Sequence, residues 1–283
     1  QKVVDQLVDN PQLLQLGGEE RQLSILFSDI ANFTSISESM KVKELVALLN
    51  EYLTKMTNIV FRNSGIIDKY IGDAILSEFG APVHIENHAE LALDTAIEMQ
   101  SELTILNSLW KEKYKYEIKA RIGINTGKVI IGNMGSKQMF DYTVIGDSVN
   151  LAARLEGVNK FYKTSILISE NTFKQIDKEK YIIRLLDFIK VKGKTEPVRI
   201  YEVFGYKVKD KDIEVIDTFT RYEAAFTEYL SKDFLTSLSK LNSLLEVTPN
   251  DFPSQKLKAR IEEIRNQKEP DEFWDGSVEL TEK

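Results

Sequence analysis

The order in which the hydrophobic period changes along the chain constrains its fold more than any other feature. Leu23-Ser24-Ile25-Leu26-Phe27 is a short apolar strand pattern, and Leu45, Leu48, Leu49, Tyr52, Met56, Ile59 and Val60 follow at helical spacing. Asn63-Ser64-Gly65 stops that helix, because glycine tolerates the backbone of a C-terminal cap. Ile66 to Phe79 reads as two strands meeting at Gly72-Asp73, a dipeptide that favours tight hairpin turns. A second helix is predicted over Glu86 to Tyr114, strands over Ile118 to Ile131 and Tyr142 to Ile145, and a helix over Val149 to Tyr162 that Asp147 or Ser148 would cap. The expected class is α+β, a sheet with its helices on one face.

The flanks have a different character. Residues 1–20 read as an N-terminal helical connector, with Val3, Val4, Leu7, Val8, Leu13 and Leu14 near helical spacing, a break at Pro11 and a close at Gly17-Gly18. The main domain spans 21–205. Residues 206–283 open on a charged linker, Lys207 to Asp212, and continue as helical patterns through Phe219, Tyr222, Phe226 and Leu230, then Leu238, Leu241, Leu244 and Leu245, then Leu257, Ile261 and Ile264. Thr248-Pro249-Asn250-Asp251 separates the second pattern from the third. The helical pair resembles one tetratricopeptide-type unit, which needs neighbours to bury its faces, so a docking or dimer-supporting appendage is expected. Phe273 and Trp274, beside acidic residues, read as a tail laid on a surface.

Composition removes several function classes. With 37 basic and 44 acidic side chains the net charge is −7, so nucleic acid held by bulk electrostatics is not an expected partner. The absence of cysteine removes disulfides, thiol nucleophiles and thiolate zinc sites. Apolar runs such as Val46-Ala47-Leu48-Leu49 fall far short of the roughly 20 residues of a membrane span, so a soluble chain is expected. It opens on Gln1 without a methionine or a signal segment, which suggests a piece of something longer.

Three segments carry chemistry. Phe27-Ser28-Asp29-Ile30-Ala31-Asn32-Phe33-Thr34 puts a carboxylate at the end of an apolar strand, before a small-residue turn into a helix whose first amides, at Phe33 and Thr34, would face an anion. Tyr70-Ile71-Gly72-Asp73-Ala74 puts another carboxylate at a hairpin tip. Alone, Asp29 reads as a helix cap and Asp73 as a turn residue; if their strands pair, the two converge in a way that suits a pair of Mg²⁺ ions bridged by a triphosphate. In Thr143-Val144-Ile145-Gly146-Asp147-Ser148-Val149-Asn150-Leu151-Ala152-Ala153-Arg154, Asn150 and Arg154 stand four apart on one helix face, a neutral donor and a fixed cation able to grip a charged transition state.

Together these motifs, in this order, resemble the class III nucleotidyl cyclases, which make cyclic AMP or cyclic GMP. The resemblance covers about Arg21 to Gly205 and implies a ferredoxin-like βαββαβ-type cyclase domain. It implies that Asp29, Asp73 and the carbonyl of Ile30 hold two divalent cations, Mg²⁺ or Mn²⁺, and that Asn150 and Arg154 stabilise the transition state. Lys192 matches the lysine that contacts the phosphates, with Lys194 as the alternative. Lys69 and Thr143 match the positions that read the base. A lysine only donates and a threonine hydroxyl can accept from an exocyclic N–H, so the pair complements adenine and favours ATP over GTP. Related guanylyl cyclases typically carry Glu and Cys there. Asn32 replaces a frequent glycine, and asparagine is the least costly substitute if that position needs a positive φ.

The resemblance also implies a homodimer with shared active sites, each taking its metal residues from one subunit and its base-reading and transition-state residues from the other. An upstream sensor or membrane domain is implied too, with this part on the cytoplasmic side. The alternatives are a guanylyl cyclase and a catalytically silent dimerisation or regulatory module. Three other motifs are set aside. Gly123-Ile124-Asn125-Thr126-Gly127-Lys128 is one spacer short of a Walker loop and reads as strand-turn-strand. His84 and His88 lack the order of a zinc motif. No Gly-Gly-Asp-Glu-Phe signature occurs, against diguanylate synthesis.

Overall fold

The strand that ends at Asp29 has apolar residues on both of its alternating faces, and this places the helices. A computed structural model describes residues 16–191, 196–208, 211–266 and 274–280. Strand β1 (Gly17–Ile30) lies between β3 (Ala74–Phe79) and β4 (Ala120–Gly135), antiparallel to both. Leu26 and Ile30 sink into a cluster with the inner faces of α2 (Val42–Arg62) and α3 (His88–Lys113), whereas Leu23 and Ile25 face Ala152 of α4 (Asp147–Tyr162). The helices therefore cover both faces of the sheet, not one as expected. Side chains alternate along a strand, so an apolar run on both alternations needs cover on both sides.

The amphipathic stripe of α2 behaves as its spacing requires: Leu48, Tyr52, Met56, Ile59 and Val60 are its buried residues. Burying a leucine or isoleucine of this kind contributes about 1.5–3 kcal/mol relative to exposure. A seven-residue helix, α1 (Phe33–Ser39), precedes it. On the opposite face α4 approaches β4 so closely that a Cβ at Gly123 would lie 2.3 Å from Ala152 O and Glu156 N. Only glycine fits there, and the Gly123 to Lys128 segment is uninterrupted strand with no turn. Asn159 of α4 donates from Nδ2 to Ile122 O at 3.0 Å, which ties helix to strand.

Among the described residues the sheet has nine strands in the order β2 (Ile66–Ile71), β3, β1, β4, β6 (Ile166–Ser169), β8 (Val198–Tyr206), β7 (Tyr181–Val191), β9 (Val278–Leu280), with β5 (Phe140–Ile145) paired to β4. The edge strand β2 (Ile66–Ile71) meets β3 through Gly72-Asp73, Gly72 taking φ 68° as the tight turn demands. Gly17 and Gly18 pair with β4 inside β1 instead of closing a helix, and the rest of the expected connector, residues 1–15, lies outside the described residues. Gly146, not Asp147 or Ser148, is the N-cap of α4, and no side chain caps it.

Strands β6 (Ile166–Ser169), β7 (Tyr181–Val191) and β8 (Val198–Tyr206), with the short α5 (Glu170–Phe173), fill the segment before the helical extension. Helices α6 (Ile213–Leu230), α7 (Phe234–Val247) and α8 (Phe252–Asn266) pack their apolar faces against α4 and β7. The tail returns as β9 (Val278–Leu280), parallel to β7, with Trp274 set edge-on to Tyr229 at 5.0 Å; Phe273 lies outside the described residues. No described helix is long and apolar enough to cross a membrane.

Candidate active site

Pairing β1 with β3 brings the end of one strand to the turn that begins the other, and this joins the two aspartates. Asp73 accepts a hydrogen bond from the Ile30 amide at 3.2 Å, and its carboxyl lies in hydrogen-bonding contact with that of Asp29. Burial first, and then the neighbouring Asp29, push the Asp73 carboxyl up to about 6. Two carboxylates this close repel each other unless a cation or a proton stands between them, so the donor set fits hard divalent ions. The Ile30 side chain is buried and has no donor atom, so the residue could serve as a ligand only through its backbone carbonyl.

The chain backs this pair with groups that sequence reasoning missed. Arg121 stands directly across from Asp29 in the β1–β4 register, its guanidinium 3.4 Å from one Asp29 oxygen. It also holds Glu156 of α4 at 2.7 Å. Burial pushes the Glu156 carboxyl up to about 7; Arg121 opposes the rise, and Asp29 and Asp73 add to it. The signal for Arg121 is its cross-strand register with Asp29, which residue spacing along one strand does not contain.

The turn after β1 places Asn32 at φ 59°, the left-handed conformation for which asparagine is suited, as the N-cap of α1. Phe33 packs against the core while Thr34 is exposed, so their amides open a helix end whose first N–H groups have no intrahelical acceptors.

A second constellation forms where β2 meets β5. Lys69 Nζ donates to Thr143 Oγ1 at 3.1 Å, bringing together the two residues the resemblance assigns to the base. Beneath them lies Asp68, whose fully buried side chain sequence reasoning missed. Asn150, exposed, and Arg154, half-buried, sit in the first turns of α4. Neither side chain has a hydrogen bond or ion pair among the described residues, Asp29 and Asp73 included. Lys192 and Lys194 lie outside the described residues. His88 pairs with Ser24, Nδ1 to Oγ at 2.8 Å, within the core.

The model of the adenylate and guanylate cyclase catalytic domain matches residues 18–205. An adenylate cyclase of Anabaena cylindrica is 41% identical over 189 residues, covering 65% of this chain and 37% of that protein. The crystal structure of the adenylyl cyclase CyaB from P. aeruginosa superposes with a TM-score of 0.63 at 36% identity, covering 69% of this chain and 99% of that one. The guanylyl cyclase Cya2 is as similar, with a TM-score of 0.62 at 35% identity and coverage of 69% and 98%. The chain spans well under half the length of the curated relatives it matches. Because an adenylyl and a guanylyl enzyme fit the backbone equally well, the fold is silent about the base, but the family is plain: the chain belongs to the adenylate and guanylate cyclase catalytic domain family.

Proposed function

We propose that this chain is an adenylyl cyclase that converts ATP to 3′,5′-cyclic AMP and pyrophosphate. The observation that carries this reading is the Lys69–Thr143 contact at 3.1 Å, which offers one donor and one acceptor side by side. Adenine presents the complementary pair at N1 and the exocyclic N6 amine, whereas guanine presents N1–H and a carbonyl. Relatives named adenylate cyclase in Anabaena cylindrica and Rhizobium meliloti support the same base.

In the reaction the ribose 3′ oxygen attacks the α-phosphorus in line with the departing pyrophosphate. One O–P bond forms, one breaks, and the 3′ proton passes to solvent, since no side-chain general base stands out. Asp29, Asp73 and the Ile30 carbonyl would hold two divalent cations, which when bound supply Lewis-acid activation of the 3′ hydroxyl and charge neutralisation on the phosphates. Arg154 stabilises charge growing on the α-phosphate, Asn150 orients the ribose, and the first amides of α1, at Phe33 and Thr34, face the phosphates. Lys192 is the proposed phosphate contact beyond them. Positioning and charge compensation do the work in such transfers, with little covalent role for the protein.

The site is completed by a second copy. Asn150 and Arg154 have no hydrogen-bond or ion-pair partners among the described residues of their own chain, its carboxylate pair included. Ile130 of β4 and Ile145 of β5, partners in the strand register, are exposed apolar side chains. A homodimer would use both. Cyclic-nucleotide production is measured with ATP and with GTP, each with Mg²⁺ or Mn²⁺, across protein concentration. Cyclic AMP rising faster than linearly with concentration is expected; nucleotide binding without product would instead identify a silent module, and cyclic GMP a guanylyl cyclase. Asp29→Ala and Arg154→Ala proteins, each inactive alone, regain part of the activity when mixed, because one hybrid site stays intact. No recovery despite subunit exchange would refute shared sites.

A further inference from the structure

Thr143 can read a base in either sense, since a hydroxyl both donates and accepts. Its surroundings remove that freedom. The hydroxyl donates to Asp68 Oδ2 at 2.6 Å, and the same oxygen accepts the Val144 amide at 3.1 Å. Asp68 is therefore anchored to the backbone of β5, and its side chain is wholly buried. Its other oxygen lies 3.1 Å from Lys69 Nζ as an ion pair without a hydrogen bond, while Lys69 itself donates to Thr143 Oγ1.

Counting hydrogens and lone pairs leaves little choice. The single Thr143 hydrogen is committed to Asp68 and one lone pair is taken by Lys69, so one lone pair remains for a ligand. Of the three Lys69 hydrogens one meets Thr143, so the ammonium still has a hydrogen to give to a ligand. What the pair shows outward is one acceptor and one donor. Glu78, buried with neither oxygen bonded, is held well above the ordinary carboxylate range by burial and then by Asp68.

We propose that Asp68 is a positioning residue that locks Thr143 as an acceptor and so sets the preference for adenine over guanine. The inference rests on the adenylyl reading above. With Asp68 present, a guanine carbonyl meets an oxygen that has no hydrogen to give. Without it the hydroxyl rotates, donates to that carbonyl, and the discrimination weakens.

The test is kcat/KM for ATP and for GTP in the wild type, Asp68→Asn, Asp68→Ala, Thr143→Val and the Asp68→Asn/Thr143→Val double variant. The ATP-to-GTP ratio should fall about tenfold in Asp68→Ala, and by a smaller factor in Asp68→Asn, where the amide oxygen remains an acceptor. The fall should come partly from a gain with GTP, which a general loss of structure does not produce. In the Thr143→Val background, with no hydroxyl left to orient, Asp68→Asn should change the ratio less than about twofold. A ratio unchanged in the folded Asp68 variants, or one that falls as far without the Thr143 hydroxyl, overturns the role of Asp68. Asp68→Asn is nearly isosteric and carries the test if Asp68→Ala does not fold. A wild type that prefers GTP breaks the adenylyl reading and this inference with it, whereas a wild type selective for ATP and indifferent to Asp68 breaks this inference alone.

Discussion

Two regions of this protein treat buried and half-buried charges in opposite ways. Along the seam that fastens the helical extension to the sheet, each is answered. Arg184, 1% exposed, holds Asp251 through both terminal nitrogens at 3.0 and 2.8 Å and Glu202 at 2.6 Å, with Phe219 and Tyr222 against its plane. Arg260 and the Tyr162 hydroxyl converge on Asp187 in the same seam. At the end of β1 the reverse holds: Asp29 and Asp73 face each other, and among the described residues Arg121 is the one cation paired with either of them. Removing charge from water is expensive, so a fold that neutralises one cluster and leaves another in excess separates scaffold from site.

The comparison breaks most sharply at Asp73. Asp73→Asn removes a proposed metal ligand and also the repulsion between two carboxylates, so activity and stability should part company. Cyclic AMP formation should drop about 10³-fold or more, while the thermal midpoint of the metal-free protein should hold or rise. Paired assays of turnover and melting check this. A midpoint that falls along with activity would make Asp73 a structural turn residue.

At the seam the same kind of change should act in the opposite sense. Arg184→Met strands Asp251 and Glu202 without their counter-charge and should cost about 3 kcal/mol of stability. Residual folded protein at low temperature should keep its ATP-to-GTP ratio, because the proposed base-reading pair, Lys69 and Thr143, lies elsewhere. Denaturant unfolding and the ratio measured together sharpen the contrast; a shifted ratio at unchanged stability would place the seam within the site.

How far each region is legible in the sequence follows from the range of the interactions that define it. Asp29 and Asp73 stand at a strand end and a hairpin tip, positions that local pattern and turn chemistry locate. Lys69 and Thr143 are reached through motif resemblance, and the structure brings them into contact. Asp68 and Arg121 are not legible, because Asp68 on β2 meets Thr143 on β5, a strand it does not pair with, and Arg121 meets Asp29 through the β1–β4 register, and both are long-range properties. The second helical layer is implicit in β1, where Leu23, Ile25 and Leu26 are all buried, but the helix that supplies it is fixed by α4 crossing β4 at Gly123, a contact between distant segments. Strand β7 escapes the periodicity reading because Arg184 and Asp187 interrupt its apolar pattern, and the helices packed over it explain why charges stand there.

The smallest effect lies at the outer end of the seam, where β9 is held by an exposed pair. Lys190 and Ser277 hydrogen bonds lower the Asp275 carboxyl to about 2, with Lys190 Nζ at 2.7 Å. A depressed carboxyl contributes stability that is present above its unfolded value and lost as pH falls through the folded one, so docking of the tail should weaken between about pH 4 and pH 2. Solvent screening holds the contribution below about 1 kcal/mol. Hydrogen exchange at the β9 amides should show greater protection in the wild type than in Asp275→Asn at about pH 6, well above the carboxyl's unfolded value, with the difference shrinking on acidification. Equal protection at that pH would mean that the strand pairing with β7 and the Trp274 contact hold the tail without the charge. The paired-charge rule of the seam would then apply only to its buried part, which is where desolvation gives it force.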